Sequence, residues 1–393
     1  MLCGVYFVIN TVHRKPVLAP HSSVKLYGKL DGEYIRYDAR KYGSDFCVAY
    51  NVTQATGNFR DDGLEPISLV IHATSHYTKD IEAQCSSRNW NGPISASLFV
   101  DRTSSDIVDY LHEVHRCSGI INQKLNLHVV YRMSPFQKAC DPILVRSSKR
   151  NCSSFNAKIR SRERGRVIPP FQIYPINVMR NVARKGALSY IHMTVDVEMV
   201  FSEGFAVKMK PLANKYINGK DKQLLVIRRF EVDAKARIPI NHKELFQMIK
   251  AFRAFEFHHK YFPAGHTIES LWQWFRMSNN QSDAYAWQID YKSSSWEAQL
   301  MLHRKDPYHP EYIPTRIRDQ QSLVYELCRA NYTFHLASHV FNVHNGVKTQ
   351  ETNLSLAVLA HQKRLRTGSY MRFMHYINST YPDTFNRCGK FMM

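Results

Sequence analysis

The sequence predicts an open α/β sheet flanked by helices. Apolar runs of strand length, rich in β-branched residues, recur at 67–74 (ISLVIHAT), 94–101 (ISASLFVD) and 125–132 (LNLHVVYR). Segments of helix length separate these runs, and strands that alternate with helices are typical of sheets whose neighbouring strands run parallel. The chain has 393 residues, of which 44% are hydrophobic, so it can bury a large core around such a sheet.

The segments between the strands carry helix signals. Residues 76–88 can hold a crossover helix. The next helix is expected to begin at a T-x-x-D capping box formed by Thr103 and Asp106. Further along, Asn241 begins an amphipathic segment over 241–254, which we interpret as a scaffold helix.

The charge balance points to anionic partners. Lys and Arg number 53 against 33 Asp and Glu, which gives a formal charge of +20. The most basic stretch, 146–166, has no apolar period and is predicted to be a solvated loop. Because aromatic residues do not alternate with its arginines, base stacking is not indicated, and we expect no nucleic-acid partner.

The cysteines and glycosylation motifs favour a secretory compartment. The eight cysteines form no CxxC pair and no Cys/His cluster at zinc spacing, which makes a structural zinc site unexpected and leaves disulfides open. The chain contains six N-x-S/T sequons, about twice the number that chance would give. They begin at Asn51, Asn151, Asn280, Asn331, Asn353 and Asn378.

The amino-terminal region differs from the rest of the chain. The apolar run LCGVYFVI at 2–9 is shorter than the ~20 residues that span a bilayer. Either it is part of a truncated signal anchor or the secretory interpretation is wrong. Residues 1–63 are expected to form a stem or irregular region. The organised domain is expected over 64–391.

Two carboxylates follow one of the predicted strands. Pro175 opens a helix, and the apolar run LSYIHMTV at 188–195 then forms a strand that leads into Asp196 and Glu198. Residues two apart on a strand point to the same side, so both side chains can converge on one cation. Oxygen ligands suit Mg²⁺ or Mn²⁺, whereas two acidic residues in an exposed turn are the simpler alternative.

The surrounding sequence resembles glycosyltransferase family 49. The segment YPINVMRNVARKGALSYIHMTVDVEMVFSEGF is similar to the core of that family, and WNGPISASLFVD is similar to its W-x-GPIS strand. Six more segments follow in the family's order, so that the resemblance extends over roughly 64–391. They are RRFEVD, NHKELFQMIKA, WQIDY, DPYHPEYI, FNVHNG and YPDTFNRCGKF.

The resemblance implies a fold, a reaction and a location. Family members have the GT-A fold, a nucleotide-sugar-binding α/β sheet in which a D-x-D motif holds Mn²⁺ on the diphosphate of a UDP-sugar. The expected reaction is an inverting, metal-dependent transfer of glucuronic acid or N-acetylglucosamine to a glycan acceptor on a glycoprotein. The expected location is the Golgi lumen, as a type II membrane protein.

The resemblance also implies residues that bind the metal and the donor. Asp196 and Glu198 occupy the D-x-D position, with Glu replacing the second Asp, and His344 occupies the family's V-H-x-G position as a third ligand. Arg180 and Asn181 resemble an R-N pair that would help to hold the donor. Trp274 matches a tryptophan of the family and is expected either to stack on a sugar or to pack in the core.

The catalytic base is the least well defined residue of the resemblance. An inverting transfer needs a carboxylate near the acceptor hydroxyl. The family's acidic segment is shortened here, and Asp319 is the nearest replacement, with Glu311 next. The alternative function is therefore a catalytically impaired paralogue that binds a nucleotide-sugar or a glycan without transfer.

Overall fold

A computed structural model describes residues 29–31, 33–87, 90–170, 172–280 and 282–393. The strands are β1 Lys29–Asp31, β2 Tyr34–Tyr37, β3 Arg40–Tyr42, β4 Phe46–Thr53, β5 Ile67–Thr74, β6 Ile94–Val100, β7 Leu125–Arg132, β8 Ile143–Arg146, β9 Ile191–Thr194, β10 Val200–Phe201, β11 Gln223–Val232, β12 Ala254–Glu256, β13 Ala286–Ile289, β14 Gln299–His303 and β15 Thr333–Asn345. The α-helices are α1 Thr78–Ser86, α2 Asp106–Cys117, α3 Gly119–Lys124, α4 Ala157–Arg164, α5 Ile176–Gly186, α6 Phe205–Tyr216, α7 His242–Lys250, α8 Pro263–His266, α9 Leu271–Asn280, α10 Gln321–Arg329, α11 Asn353–Lys363, α12 Arg366–Thr380 and α13 Phe385–Cys388.

A mixed sheet runs through the molecule. Its strand order is β10-β15-β11-β14-β9-β5-β6-β7-β4-β3, with β12 added beside β11 and β13 beside β15. Neighbours β9, β5, β6 and β7 are parallel, as are β11 and β15, whereas β14 is antiparallel to both of its neighbours. Helices flank this sheet, so the predicted class, an open α/β sheet flanked by helices, is confirmed.

The three apolar runs that predicted strands are β5, β6 and β7, and the helix expected over 76–88 is α1. Two local predictions were wrong. Helix α2 begins at Asp106 without a side-chain cap, because the Asp101 carboxylate instead accepts from the backbone N–H groups of Thr103 and Ser104 in the preceding turn. The stretch 146–166 is not entirely loop, since it contains α4.

Helix α4 is held by ion pairs together with one apolar contact, that of the partly buried Ile159 with the core. Arg160 and Arg164 both pair with Glu82 of α1, and Arg164 donates to this carboxylate at 2.9 Å. The α4 helix itself buries none of its side chains. A basic stretch without hydrophobic periodicity therefore forms a helix through ion pairs with a neighbouring element, which its own sequence could not reveal.

The sheet extends upstream of residue 63. Strand β4 pairs antiparallel with β7, and Cys47 and Val48 of β4 are fully buried. Part of the region predicted as a stem is thus an integral edge of the main sheet. The apolar run at 2–9 lies outside the described residues, and within those that are described no helix has the length and hydropathy needed to cross a membrane.

Among the cysteines that the structure describes, three disulfides join distant parts of the chain. They link Cys47 to Cys140, Cys117 to Cys152 and Cys328 to Cys388. Cys85 is buried and unpaired, and Cys3 lies outside the described residues. Disulfides of this number fit the oxidising compartment that the sequons favour.

Candidate active site

The site is built at one edge of the main sheet. Strands β5, β6, β7, β9, β11 and β15 all run in the same direction, because β14 lies antiparallel between β9 and β11. Their carboxyl ends therefore lie along one edge, where open α/β sheets bind their ligands. Asp196 and Glu198 follow the end of β9 at this edge.

The turn after β9 directs both carboxylates away from the core. The Val195 backbone N–H donates to the Val70 carbonyl at 3.0 Å, which extends the β5–β9 pairing by one residue. Val195 and Val197 are each 3% exposed, and they anchor the turn on its inner side. Asp196 and Glu198 alternate with them and lie on the outer side, as the spacing predicted.

Asp196 lies among cationic and imidazole groups that come from other strands. Its Oδ2 accepts from Arg229 Nη2 of β11 at 3.1 Å, and its Oδ1 lies 3.8 Å from His72 Nε2 of β5. Burial disfavours the charged carboxylate, but Arg229, Arg180 and His72 outweigh burial and hold the pKa of Asp196 well below its usual value. Asp196 is therefore ionised across the physiological pH range.

His72 links Asp196 to a buried tyrosine. Its Nδ1 lies 2.8 Å from the Tyr174 hydroxyl, and the two rings are stacked with centroids 5.8 Å apart. Burial, followed by the charge of Arg180, lowers the pKa of His72 to about 4. The imidazole is thus neutral near pH 7, and its Nε2 lacks a hydrogen-bond partner while it faces Asp196.

Glu198 has the opposite electrostatic environment. Desolvation and then the neighbouring Asp196 carboxylate raise the pKa of Glu198 to about 7. Two carboxylates whose proton affinities are driven apart in this way repel each other, so a cation between them would relieve the repulsion. The oxygen-only pair fits a hard divalent ion such as Mn²⁺ or Mg²⁺.

His344 reaches the same edge but does not complete a compact cluster. It lies in β15 beside Glu231 of β11, and its Nδ1 is 2.9 Å from the Gly346 carbonyl oxygen. That contact assigns the proton to Nδ1 and leaves Nε2 able to bind a metal. Across the ranges that the structure describes, however, no three His, Cys, Asp or Glu side chains are grouped closely enough to hold a metal ion. Its role as third ligand stays a prediction.

The predicted donor residue Arg180 and the predicted base Asp319 contact each other. Arg180 Nη1 donates to Asp319 Oδ1 at 2.9 Å, and Asp319 Oδ2 accepts from the Arg316 backbone N–H at 2.7 Å. Both carboxylate oxygens are therefore engaged in fixing the loop after β14 against α5. This geometry gives the pair a positioning function beside His72 and Asp196, whose pKa values respond to the charge of Arg180.

Asn181 and Glu311 form a second contact of the same kind. Asn181 Nδ2 donates to Glu311 Oε1 and to the His309 carbonyl, both at 2.8 Å, while its Oδ1 accepts from the His309 N–H at 3.0 Å. Glu311 Oε1 also accepts from Tyr42. Asn181 is 1% exposed, so it holds the loop and presents no free amide to a donor.

Trp274 packs in the core. Its side chain is 0% exposed, its Nε1 donates to the Ala337 carbonyl at 2.9 Å, and its ring contacts Phe230 and His242. The expectation that it stacks on a sugar is wrong because the ring has no exposed face. The alternative, core packing, is what the structure shows.

The sequence reasoning missed a further carboxylate at this edge. Glu297 lies two residues before Gln299, the first residue of β14. Because Gln299 Nε2 donates to the Thr194 carbonyl at the end of β9, Glu297 lies at the same edge as Asp196. Its Oε2 lies 3.3 Å from His266 Nε2, and its side chain is 26% exposed. Burial opposes the charge of Glu297, but His266 outweighs it, and Arg229 and Arg180 also lower its pKa. Its Oε1 accepts from Gln321 Nε2 at 2.6 Å, so Glu297 is a partly exposed, ionised carboxylate within the field of the same arginines as Asp196.

Comparisons with known proteins point in one direction. A family model described as glycosyl-transferase for dystroglycan matches residues 66–382. Mouse (Mus musculus) beta-1,4-glucuronyltransferase 1 is 26% identical over 220 residues, which cover 55% of this chain and 50% of that protein. The zebrafish (Danio rerio) beta-1,4-glucuronyltransferase 1 is 21% identical over 341 residues, which cover 82% and 75%. The chain thus spans about half the length of the mouse relative.

Among solved structures, S. aureus TarS 1–349 in complex with UDP-GlcNAc aligns with a TM-score of 0.35 at 10% identity, and covers 82% of this chain and 74% of that chain. The structure of GalNAc-T7 with UDP, GalNAc and Mn²⁺ aligns with a TM-score of 0.38 at 9% identity, and covers 84% and 54%.

Proposed function

The chain belongs to the family described as glycosyl-transferase for dystroglycan, and from that membership we propose that it transfers a sugar from a UDP-sugar to a glycan acceptor with inversion. Relatives named as glucuronyltransferases support glucuronic acid as the sugar, with N-acetylglucosamine as the second candidate. On the same ground we propose a glycoprotein acceptor and a membrane-anchored enzyme of the Golgi lumen.

One observation carries the proposal. Asp196 and Glu198 lie together at the carboxyl edge of the sheet, where Arg229 donates a hydrogen bond to Asp196 and His72 Nε2 faces it at 3.8 Å. An ionised carboxylate fixed by an arginine, beside a second carboxylate of raised pKa, is arranged for a cation and its phosphate ligands. An exposed acidic turn would need none of these contacts.

Asp196 and Glu198 would hold the divalent cation, Mn²⁺ or Mg²⁺. When bound, the cation neutralises the charge that develops on the leaving diphosphate. Arg229 and Arg180, which pair with Asp196 and Asp319, add positive charge beside the site and would stabilise that leaving charge further.

For the base, Glu297 suits the reaction better than Asp319 or Glu311. The base takes the acceptor hydroxyl proton while that oxygen bonds to the sugar C1, and the bond from C1 to the diphosphate breaks on the opposite face. Asp319 is neutralised by Arg180, and Glu311 lies against Tyr42 and Asn181. Glu297 keeps 26% of its side chain exposed, and its partners His266 and Gln321 orient the carboxylate, whereas Asp319 is paired with an arginine.

The test is release of UDP from UDP-glucuronic acid and from UDP-N-acetylglucosamine, with and without Mn²⁺. We expect release that depends on Mn²⁺ and that Asp196→Asn reduces by more than 100-fold. The matched control is Asp290→Asn, which makes the same change at an exposed position after β13 and should leave release unchanged.

Mn²⁺ binding by calorimetry separates the two candidate functions. No release from either donor, together with Mn²⁺ binding that is lost in Asp196→Asn, would contradict transfer and favour the catalytically impaired binder. If neither donor is turned over and Asp196→Asn binds Mn²⁺ as wild type does, then the assignment of the metal site itself is wrong.

A further inference from the structure

A second cavity lies outside the candidate active site. It has a volume of about 530 Å³, within the range of small-molecule sites, and no role has been assigned to it above. We call it the tyrosine groove after the five tyrosines that line it, namely Tyr308, Tyr312, Tyr332, Tyr376 and Tyr381.

The tyrosine groove is at the opposite edge of the sheet from Asp196. Lys222 precedes β11 and Tyr332 precedes β15, so both flank the amino ends of parallel strands. Lys305 follows β14, whose last residue pairs with the first residue of β9. From Lys222 to Arg229 the β11 strand advances roughly 20 Å, which separates the groove from the carboxylate site.

The rings of the groove are fixed in place. The Tyr376 hydroxyl donates to Glu326 at 2.8 Å, and the Tyr332 hydroxyl donates to Asp306 at 2.9 Å. Guanidinium groups cover one ring face each of two others: Arg184 lies 4.2 Å from the Tyr308 centroid, and Arg372 lies 4.0 Å from the Tyr312 centroid. A ligand would therefore meet preorganised aromatic walls and would not have to immobilise them.

The rim of the groove is positively charged. Lys222 and Lys305 line it and are exposed, and in the described part of the chain neither ammonium group is paired with a carboxylate. The acidic group of the groove, Glu326, is 4% exposed and is capped by tyrosine hydroxyls. An incoming anion would meet the two lysines first.

We propose that the tyrosine groove is a second glycan-binding site, which takes an oligosaccharide that carries carboxylate groups. Tyrosine rings pack against the apolar faces of pyranose rings, and the two lysines pair with the carboxylates. The choice of a glycan rests on the proposed function. A glycan held at this edge would keep an acceptor near the enzyme between transfers at the other edge.

The test measures binding of two tetrasaccharides by calorimetry, without any nucleotide-sugar. One is a hyaluronan tetrasaccharide, which contains glucuronic acid, and the other is neutral chitotetraose. We expect the acidic probe to bind at least tenfold more tightly to wild type, and Lys222→Glu with Lys305→Glu to weaken it at least tenfold. The matched control, Lys215→Glu with Lys220→Glu, makes the same charge change at exposed positions outside the groove and should bind as wild type.

Each other result overturns the proposal. The proposal fails if wild type binds the two probes with equal affinity or does not bind the acidic probe. It also fails if both pairs of lysine substitutions weaken binding equally. UDP release and thermal melting of the groove variant are measured alongside. Unchanged release with weakened glycan binding separates the groove from the donor site. If wild type binds the glycan but releases no UDP, the proposed transfer fails and the groove stands.

Discussion

The two edges of the main sheet carry opposite kinds of chemistry. At the carboxyl edge, charged groups from β5, β11 and the segments that follow β9 and precede β14 lie close together. Asp196 pairs with Arg229 and Glu297 with His266, whereas Glu198 lies beside Asp196. At the amino edge, the tyrosine groove is formed by neutral rings with two unpaired lysines at its rim. The first edge is arranged to control charge, and the second combines aromatic walls with a cationic rim.

Helix α5 connects the two edges. Near its beginning, Arg180 contacts Asp319 beside the carboxylate site, and near its end Arg184 covers the ring of Tyr308 in the groove. The same helix therefore positions residues in both regions, because it runs antiparallel to β9 across the sheet. Changes at one edge should leave the other edge intact unless they move α5.

The largest expected effect concerns Glu297. Replacing it with Gln removes the proposed base but keeps the size and a hydrogen-bond acceptor for the site, so transfer should fall by about 10²–10⁴-fold. Affinity for UDP should change little, because Glu297 does not bind the nucleotide in this proposal. Initial rates of sugar transfer and calorimetry with UDP measure the two quantities.

Asp319→Asn and Glu311→Gln are the comparison variants for Glu297. They should reduce transfer less than Glu297→Gln does, since both carboxylates fix the loop against α5. A larger loss in Asp319→Asn than in Glu297→Gln, with unchanged thermal stability, would return the role of base to Asp319.

The next effect concerns the buried carboxyl group of the tyrosine groove. Burial raises the pKa of Glu326 to about 7, so the folded protein retains a proton that the unfolded chain loses near its ordinary value of 4.5. The stability that this group contributes therefore falls as pH rises from about 4.5 to about 7 and stays lost above it. Glu326→Gln should be more stable than wild type at pH 8, by on the order of 3 kcal/mol.

Urea unfolding at pH 5 and pH 8 measures this difference. The gain should be small at pH 5, because the folded wild type is still protonated there, and UDP release at the other edge should not change. Glu203→Gln, at an exposed position, serves as the control and should give no gain at either pH. A gain of the same size at both pH values would contradict titration of Glu326 as its source.

A smaller effect should reach both edges at once. A Cβ at Gly186, the last residue of α5, would collide with the His128 ring. That ring is held by the Asn51 backbone N–H at 3.0 Å and by the Ser95 hydroxyl at 2.9 Å, so it cannot move aside freely. Gly186→Ala should cost about 1–3 kcal/mol of stability and weaken both UDP release and acidic-glycan binding. A variant that loses only one of the two activities would show that the edges are not coupled through α5.

Local sequence was enough to predict the strands β5, β6, β7 and β9. The apolar runs at 67–74, 94–101 and 125–132 are strands because each buries nearly every side chain, a property of the run itself. The pairing of β4 with β7 could not be predicted in the same way, because it joins segments about 80 residues apart. Helix α4 was missed for a related reason, because the ion pairs that hold it join Arg160 and Arg164 to Glu82 of α1, which is distant in sequence.

The site was predictable only in part. The position of Asp196 and Glu198 beyond the end of a strand could be predicted, whereas their role as metal ligands stays a prediction. His72, Arg229 and Glu297 were missed because the order of the strands, and not their sequence, brings them to Asp196. Two of them left a signal, the histidine inside the apolar run ISLVIHAT and the arginine pair in VIRRFEV.

The smallest expected effect tests whether a change in the scaffold far from both edges is silent for function. Asn241 caps α7, where its side chain accepts from the Glu244 backbone N–H at 2.9 Å, while Glu244 Oε2 accepts from the Ile240 N–H at 3.0 Å. Asn241→Ala should cost about 1 kcal/mol, and Asn241→Ser should recover most of that loss, because serine also caps. Neither change should alter UDP release or glycan binding, since α7 contributes no residue to either region. If Asn241→Ala instead lowered UDP release while Asn241→Ser restored it, α7 would have to be counted among the elements that position the carboxyl edge.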